Sequence, residues 1–242
     1  MIDFQSIINQ LKTTNEFRIV FWGDSLVSTE WVHPNWREIM EYVLKEELQK
    51  QIDDWKIPAW GVRCYNCGFD GATTDDFINK IDEVTDLKPN LVIYLGGGND
   101  VTFNFPVEKH IQNTKKMIDL IKISGAELIF CSNLSSLTTE YDRLYPTDYY
   151  PEIVKLFPIQ GVTFIDMYQQ YQKFDLTKLF TFISNGNPEA GILKGEIDPY
   201  HPNSSGNAYI AKVILEQGFG INFDPEKYLL DIRSGVMYPE YK

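Results

Sequence analysis

Short, almost wholly apolar runs alternate along the chain with segments whose apolar residues recur every three or four positions. Residues 18–22 (Arg-Ile-Val-Phe-Trp) are β-branched and aromatic and stop at Gly23, as a buried strand does. Residues 60–65 read as a second strand, Leu91–Leu95 as the clearest third, Glu127–Cys131 as a fourth and Val162–Ile165 as a fifth. Between the first two runs, Trp36, Ile39, Met40, Val43, Leu44 and Leu48 fall on one helical face. Asn35 stands at the N-cap, with Glu38 at the capping-box position. Thr74 is placed to cap a helix that buries Phe77, Ile78 and Ile81, and Val107, Ile111, Thr114, Ile118 and Ile121 mark another. A last helix is expected over residues 207–217, ended by Gly218.

Strands that are apolar throughout, alternating with helices, belong to a parallel sheet covered on both faces. Right-handed crossovers then give an α/β fold: a three-layer α/β/α sandwich with a flavodoxin-like, doubly wound parallel sheet of about five strands. Functional residues in such a fold gather beyond the carboxyl ends of the strands. Residues 134–160, rich in tyrosine (Tyr141, Tyr145, Tyr149, Tyr150), and residues 175–197, with Gly186, Gly191 and Gly195, are too long to be simple connections. Both are expected at the functional rim. Residues 219–242 lack strong periodicity and are expected to pack on the domain or on a partner subunit, so an oligomer stays open. With no internal repeat or linker in the sequence, one domain over residues 1–242 is expected.

The formal net charge of −12 disfavours a nucleic-acid partner, because such a field repels phosphate backbones. The densest basic pair, Lys115–Lys116, reads as a solvated helix face. Three cysteines, an odd number, argue against a disulfide framework and favour a reducing compartment. Residues 1–17 do not read as a secretory signal, and no run of about eighteen apolar residues is present. No membrane span is expected, and a cytoplasmic location is.

Four segments carry candidate chemistry. Gly23-Asp24-Ser25-Leu26 follows the first strand, where a serine on a tight turn exposes its hydroxyl; serine is a weak nucleophile and needs a base in hydrogen-bond reach. Alone, the tripeptide reads as a turn. In Asp198-Pro199-Tyr200-His201-Pro202 a carboxylate precedes an imidazole by three residues, so it can fix the tautomer that leaves Nε2 free as a base. The plainer reading is a helix-capping Asp beside a surface His. Gly96-Gly97-Gly98-Asn99-Asp100 ends the third strand, and the Asn99 amide is suited to developing negative charge. A phosphate cradle competes there but lacks the glycine spacing and the Lys-Ser/Thr ending. Finally, Asp70-Gly71-Ala72-Thr73 places backbone N–H groups near a helix N-terminus, or is merely a capped turn.

Together these segments resemble the SGNH (GDSL-type) hydrolase superfamily, whose four blocks carry Ser, Gly, Asn and His in that order. The resemblance spans Gly23 to Gly206. It implies Ser25 as nucleophile and first oxyanion donor, the Gly71 N–H as the second and the Asn99 side chain as the third. It further implies Asp198 as orienting acid and His201 as base, with no cofactor. Two departures bear on substrate: the bulkier Val27-Ser28-Thr29-Glu30-Trp31 after the first block, and the triple glycine before Asn99.

Other features read more plainly. Cys64 and Cys67 have Cys-x-x-Cys spacing, but residues three apart on a strand point to opposite faces, so packing is expected. His110 lies on the apolar side of its helix and reads as a core histidine. Asp24, His33 and Asp100 are placed at the pocket rim, with capping or packing as the alternative for His33. The expected function is a serine-dependent ester hydrolase removing small acyl groups, such as acetyl, from a carbohydrate or other small ester. A lipid ester or thioester hydrolase and an acyltransferase of the same fold stay open. So do two readings of a different class: a metal-dependent hydrolase using Asp24, Asp100, Asp198 and His201, and a non-catalytic binding module.

Overall fold

Strands β1 (Phe17–Gly23), β2 (Val62–Gly68), β3 (Leu91–Leu95), β4 (Glu127–Cys131) and β5 (Val162–Ile165) form one sheet in the order β2-β1-β3-β4-β5. The computed structural model describes residues 1–137, 144–188 and 191–242. Every neighbouring pair is parallel, and Gly23 aligns with both Gly68 and Leu95, so the carboxyl ends lie on one edge. This is the expected flavodoxin-like, doubly wound order, and its switch point lies between β1 and β3.

Alternation along the strands makes the two cores. Ile19, Phe21, Ile93, Leu95, Ile129 and Ile165 face helices Phe4–Thr14, Trp36–Gln51 and Ser204–Phe219. Val20, Trp22, Val92, Tyr94, Leu128 and Phe130 face helices Thr74–Asn79, Ile81–Thr85 and Val107–Ile123. Cys64 packs against the first core and Cys67 within the second, opposite faces of β2. Asn35 caps its helix by accepting from Glu38 N, with the reciprocal bond from Asn35 N to Glu38 completing the capping box.

Three boundaries differ from the sequence reading. β2 begins at Val62; residues Lys56–Gly61 form a short helix instead, with Trp60 65% exposed, because Val62 is the first residue to pair with Phe17. The cap of helix Thr74–Asn79 is Thr73, which makes a reciprocal capping box with Asp76, while Thr74 turns inward to Asp100. The last long helix runs Ser204–Phe219, from the Asn203 cap to Gly220 at φ +69°. Gly218 lies inside this helix, where a Cβ would come 3.0 Å from Ile129 Cδ1, so the glycine fits the helix closely against the sheet.

Of the two long connections, one contains a wide turn, Tyr145–Tyr149, leading into helix Tyr150–Lys155; Tyr141 lies outside the described residues. The other contains helix Leu176–Leu179 and the antiparallel bridges Ile183 to Ile197 and Asn187 to Ile192. Near the C-terminus, helix Pro225–Arg233 packs on Ser204–Phe219, and the buried Tyr241 donates its hydroxyl to Glu47 at 2.5 Å. Among the described residues no helix is long and apolar enough to cross a membrane.

Candidate active site

The candidate nucleophile sits at the switch point because β1 ends against its neighbours with no room for side chains. A Cβ on Gly23 would come within 1.8 Å of the Leu95 carbonyl oxygen, and one on Gly68 within 2.2 Å of Ser28 N. That close approach lets the chain turn directly from β1 into the one-turn helix Ser25–Ser28. Asp24 caps this helix, accepting from Leu26 N at 3.0 Å. Its other oxygen accepts from Gly97 N at 3.1 Å and so ties the β1 turn to the glycine turn after β3. Burial pushes the Asp24 carboxyl up to about 6, against the two backbone donors that hold it down.

His201 reaches Ser25 from a loop 176 residues further on, with Nε2 2.9 Å from Ser25 Oγ. Its Nδ1 lies 2.7 Å from Asp198 Oδ2. Asp198 Oδ1 accepts from the N–H groups of Tyr200 at 2.9 Å and His201 at 3.1 Å, so the loop folds around the carboxylate. Burial alone would raise the Asp198 carboxyl. The hydrogen bond and charge of His201, with the two backbone donors, outweigh it and hold Asp198 below the usual carboxylate range. Trp31 stands edge-on to the His201 ring at 5.4 Å.

Asn99, in the first turn of helix Gly98–Thr102, donates from Nδ2 to the Ala72 carbonyl at 3.0 Å, which orients the amide and joins the β3 turn to the segment holding Gly71. Gly71 adopts φ +69° with open space around it. Ser25, Gly71, Asn99 and His201 all line one cleft of about 280 Å³. A serine hydroxyl lining a cleft, an imidazole oriented by a carboxylate, and an amide beside backbone N–H groups are the parts that acyl transfer uses.

The rim expectation needs correction. Asp24 does line the cleft, buried at its base. Asp100 does not: it is wholly buried, accepting from Thr74 N at 2.8 Å and Thr74 Oγ1 at 2.6 Å, with His110 Nδ1 at 2.8 Å. It fastens helix Thr74–Asn79 to helix Val107–Ile123. His33 is exposed and paired with Glu38 at 3.0 Å, away from the cleft lining. His110 is buried, as its apolar helix face implies. Among the described residues, no three His, Cys, Asp or Glu side chains are grouped to hold a metal ion.

One wall of the cleft comes from the start of the long segment expected at the rim, although no residue of it is singled out by the sequence. Residues 133–136, just after β4, line it with Asn133, Leu134, Ser135 and Ser136, and the buried Ser135 hydroxyl has no hydrogen-bond partner among the described residues. The rule that sites gather at strand carboxyl ends applies to β4 as much as to β1, and would have marked this segment. Asp70, Phe103, Asn187 and Tyr200 also line it, with Trp31 beside His201.

A family model described as the GDSL-like Lipase/Acylhydrolase family matches residues 21–209. No curated protein gives a significant match to the sequence. Similar solved structures include an acetylxylan esterase from Geobacillus stearothermophilus, at 16% identity and TM-score 0.61, over 83% of this chain and 93% of that one. An alpha/beta hydrolase enzyme from the metagenome of Lake Arreo, Spain, matches at 16% identity and TM-score 0.60, over 83% and 94%. The acetyl xylan esterase AlAXEase matches at 17% and 0.59, over 83% and 98%. At these identities the likeness is one of fold.

Proposed function

The chain belongs to the GDSL-like lipase/acylhydrolase family and is a carboxylic ester hydrolase, and from that premise we propose a two-step mechanism with Ser25 as nucleophile. The observation that carries this reading is the continuous hydrogen-bonded line from Ser25 Oγ through His201 to Asp198, at 2.9 and 2.7 Å. As Ser25 Oγ attacks the ester carbonyl carbon, its proton passes to His201 Nε2, and Asp198 stabilises the imidazolium so formed. The carbonyl oxygen becomes an oxyanion facing the Ser25 and Gly71 N–H groups and the Asn99 amide. Ser25 is the first residue of its helix, where backbone donors have no intrahelical acceptor, so its N–H is free for this task. Collapse returns the proton from Nε2 to the leaving alkoxide and leaves an acyl group on Ser25. A water, deprotonated by His201, then attacks this second ester; the acyl–Oγ bond breaks, the proton on Nε2 returns to Ser25 Oγ, and the acid leaves.

The substrate we propose is a small acyl ester, acetyl foremost, of a carbohydrate or similar polar alcohol. Its support is the modest cleft, with Trp31, Phe103 and Tyr200 offering aromatic surface and Asp70, Asn187 and Ser135 offering polar groups. The acetylxylan esterases of the same fold lend the acetyl part weight. Residues 1–242 are taken as one catalytic domain, and the mechanism calls on no cofactor.

Hydrolysis of p-nitrophenyl acetate, butyrate and octanoate by the wild type and by Ser25→Ala tests the proposal. The expected result is turnover that falls with chain length and disappears in Ser25→Ala. Rates rising towards octanoate would move the substrate to lipid esters. Undiminished turnover in Ser25→Ala would remove the serine mechanism.

A further inference from the structure

A four-residue helix cannot support itself: its nucleation cost exceeds what one turn of hydrogen bonds returns, and its last carbonyls have no intrahelical donors. In Ser25–Ser28 those carbonyls are met from outside. Ser25 O keeps the turn's own bond, from the C-cap Thr29 N at 3.3 Å, and the three carbonyls after it take outside donors. Leu26 O accepts from the Trp36 indole at 2.7 Å, Val27 O from Arg37 Nε at 2.5 Å and Ser28 O from Arg37 Nη2 at 2.6 Å. Two adjacent side chains at the start of helix Trp36–Gln51 thus hold the turn that presents Ser25.

The same helix start is tied to the loop of His201. Asn207, wholly buried in helix Ser204–Phe219, accepts from Trp36 N at 3.1 Å. Its NH₂ group donates to Pro202 O at 2.9 Å and Asn203 O at 3.0 Å, immediately after His201. One amide therefore saturates both its faces between the two arms of the site. Trp36 is fully buried and packs edge-on against Phe21 of β1 at 5.1 Å, so the brace is anchored in the core.

Building on the serine mechanism above, we propose that Arg37 and Asn207 are positioning residues which, through Trp36, hold Ser25 Oγ within hydrogen-bond range of His201 Nε2. Neither touches the cleft. They act on the relative placement of two groups from distant parts of the chain, and a displacement of about 1 Å at such a contact is enough to cost on the order of 100-fold in rate. Lysine at position 37 would meet one carbonyl at a time where arginine meets two.

The test is steady-state hydrolysis of p-nitrophenyl acetate by Asn207→Ala, Arg37→Met and Arg37→Lys, with Ser25→Ala beside them and folding checked by circular dichroism and thermal melting. The expected result is a kcat lowered about tenfold or more in Asn207→Ala and Arg37→Met, a KM within about twofold of wild type, and an intermediate kcat in Arg37→Lys. The downfield proton resonance of the Asp198–His201 hydrogen bond should persist in Arg37→Met, where only the serine arm is released. Folded variants that melt earlier yet keep kcat within about twofold would overturn the inference, as would a loss carried by KM alone. If Asn207→Ala does not fold, Arg37→Met decides the matter, because Arg37 is only partly buried. Wild-type kcat in Arg37→Met with a dead Ser25→Ala sinks this inference alone; an active Ser25→Ala sinks the serine mechanism on which it rests.

Discussion

Replacing Asp198 with asparagine keeps the size of the side chain and leaves it one acceptor short. Asp198 accepts three hydrogen bonds, from His201 Nδ1 at 2.7 Å and from the backbone N–H groups of Tyr200 and His201. An asparagine whose oxygen stays with the two backbone donors turns its NH₂ towards Nδ1. The imidazole proton must then sit on Nε2, where it cannot accept the proton of Ser25. The opposite flip keeps the working tautomer but points NH₂ at two backbone N–H groups, leaving both without an acceptor. Each such loss costs about 1–3 kcal/mol, so the working form lies about 2–6 kcal/mol above the idle one. The Asp198 side chain is only 19% exposed, so water replaces the missing acceptor poorly. The expected fall in kcat is therefore between about 30-fold and about 10⁴-fold. Steady-state rates on p-nitrophenyl acetate at pH 8, with folding checked by circular dichroism, measure it. A folded Asp198→Asn protein within threefold of wild type would refute the reasoning.

Three further outcomes follow from the same geometry. Asn99→Ala should lower kcat about 10²–10³-fold with little change in KM, the usual effect of losing one oxyanion donor, and an unchanged kcat would remove Asn99 from that role. Asp24 has its carboxyl raised from 3.8 to about 6 in the folded protein, so its stabilising contribution is complete below about 3.8 and lost as pH rises through about 6. Urea unfolding from pH 4 to pH 8 should show the wild type losing about 2 kcal/mol relative to Asp24→Asn; a difference independent of pH would contradict the assignment. Gly68→Ala should destabilise by about 2 kcal/mol or more, because its Cβ would meet Ser28 backbone at 2.2 and 2.6 Å. Gly71→Ala, with nothing within 4 Å but φ at +69°, should cost only about 1–2 kcal/mol. Equal melting temperatures for these two variants would show that the close approach at Gly68 is not limiting.

Much of this arrangement could be read from residues alone, and the failures have physical causes. The strands were legible because a two-sided sheet demands unbroken apolar runs, and 91–95 and 128–131 have them without interruption. Residues 60–61 misled because Trp60 suits a strand by composition, while only pairing with Phe17 determines where β2 starts. Thr73 and Thr74 are equally good caps locally; the partner that claims Thr74 is Asp100, far along the chain. Gly218 looked like a helix end because its reason for being glycine, contact with Ile129, is tertiary. The same limit explains Asp100, whose position after Asn99 suggested the rim although its partners lie in the core. That Ser25, Asp198 and His201 would meet was legible from the order of four segments taken together, since each alone reads equally well as a turn or a cap. The brace through Trp36, Arg37 and Asn207 was not, since each of those residues has an ordinary role in its own helix.

The central claim is that the acyl group passes through a covalent ester on Ser25. The most direct test is to quench the enzyme in acid during turnover of p-nitrophenyl acetate and to locate any added acetyl group by peptide mass spectrometry. The expected result is acetylation on the peptide containing Ser25 in the wild type, and none in Ser25→Ala. Rapid turnover with no acetyl group on Ser25, and no loss of rate in Ser25→Ala, would contradict it.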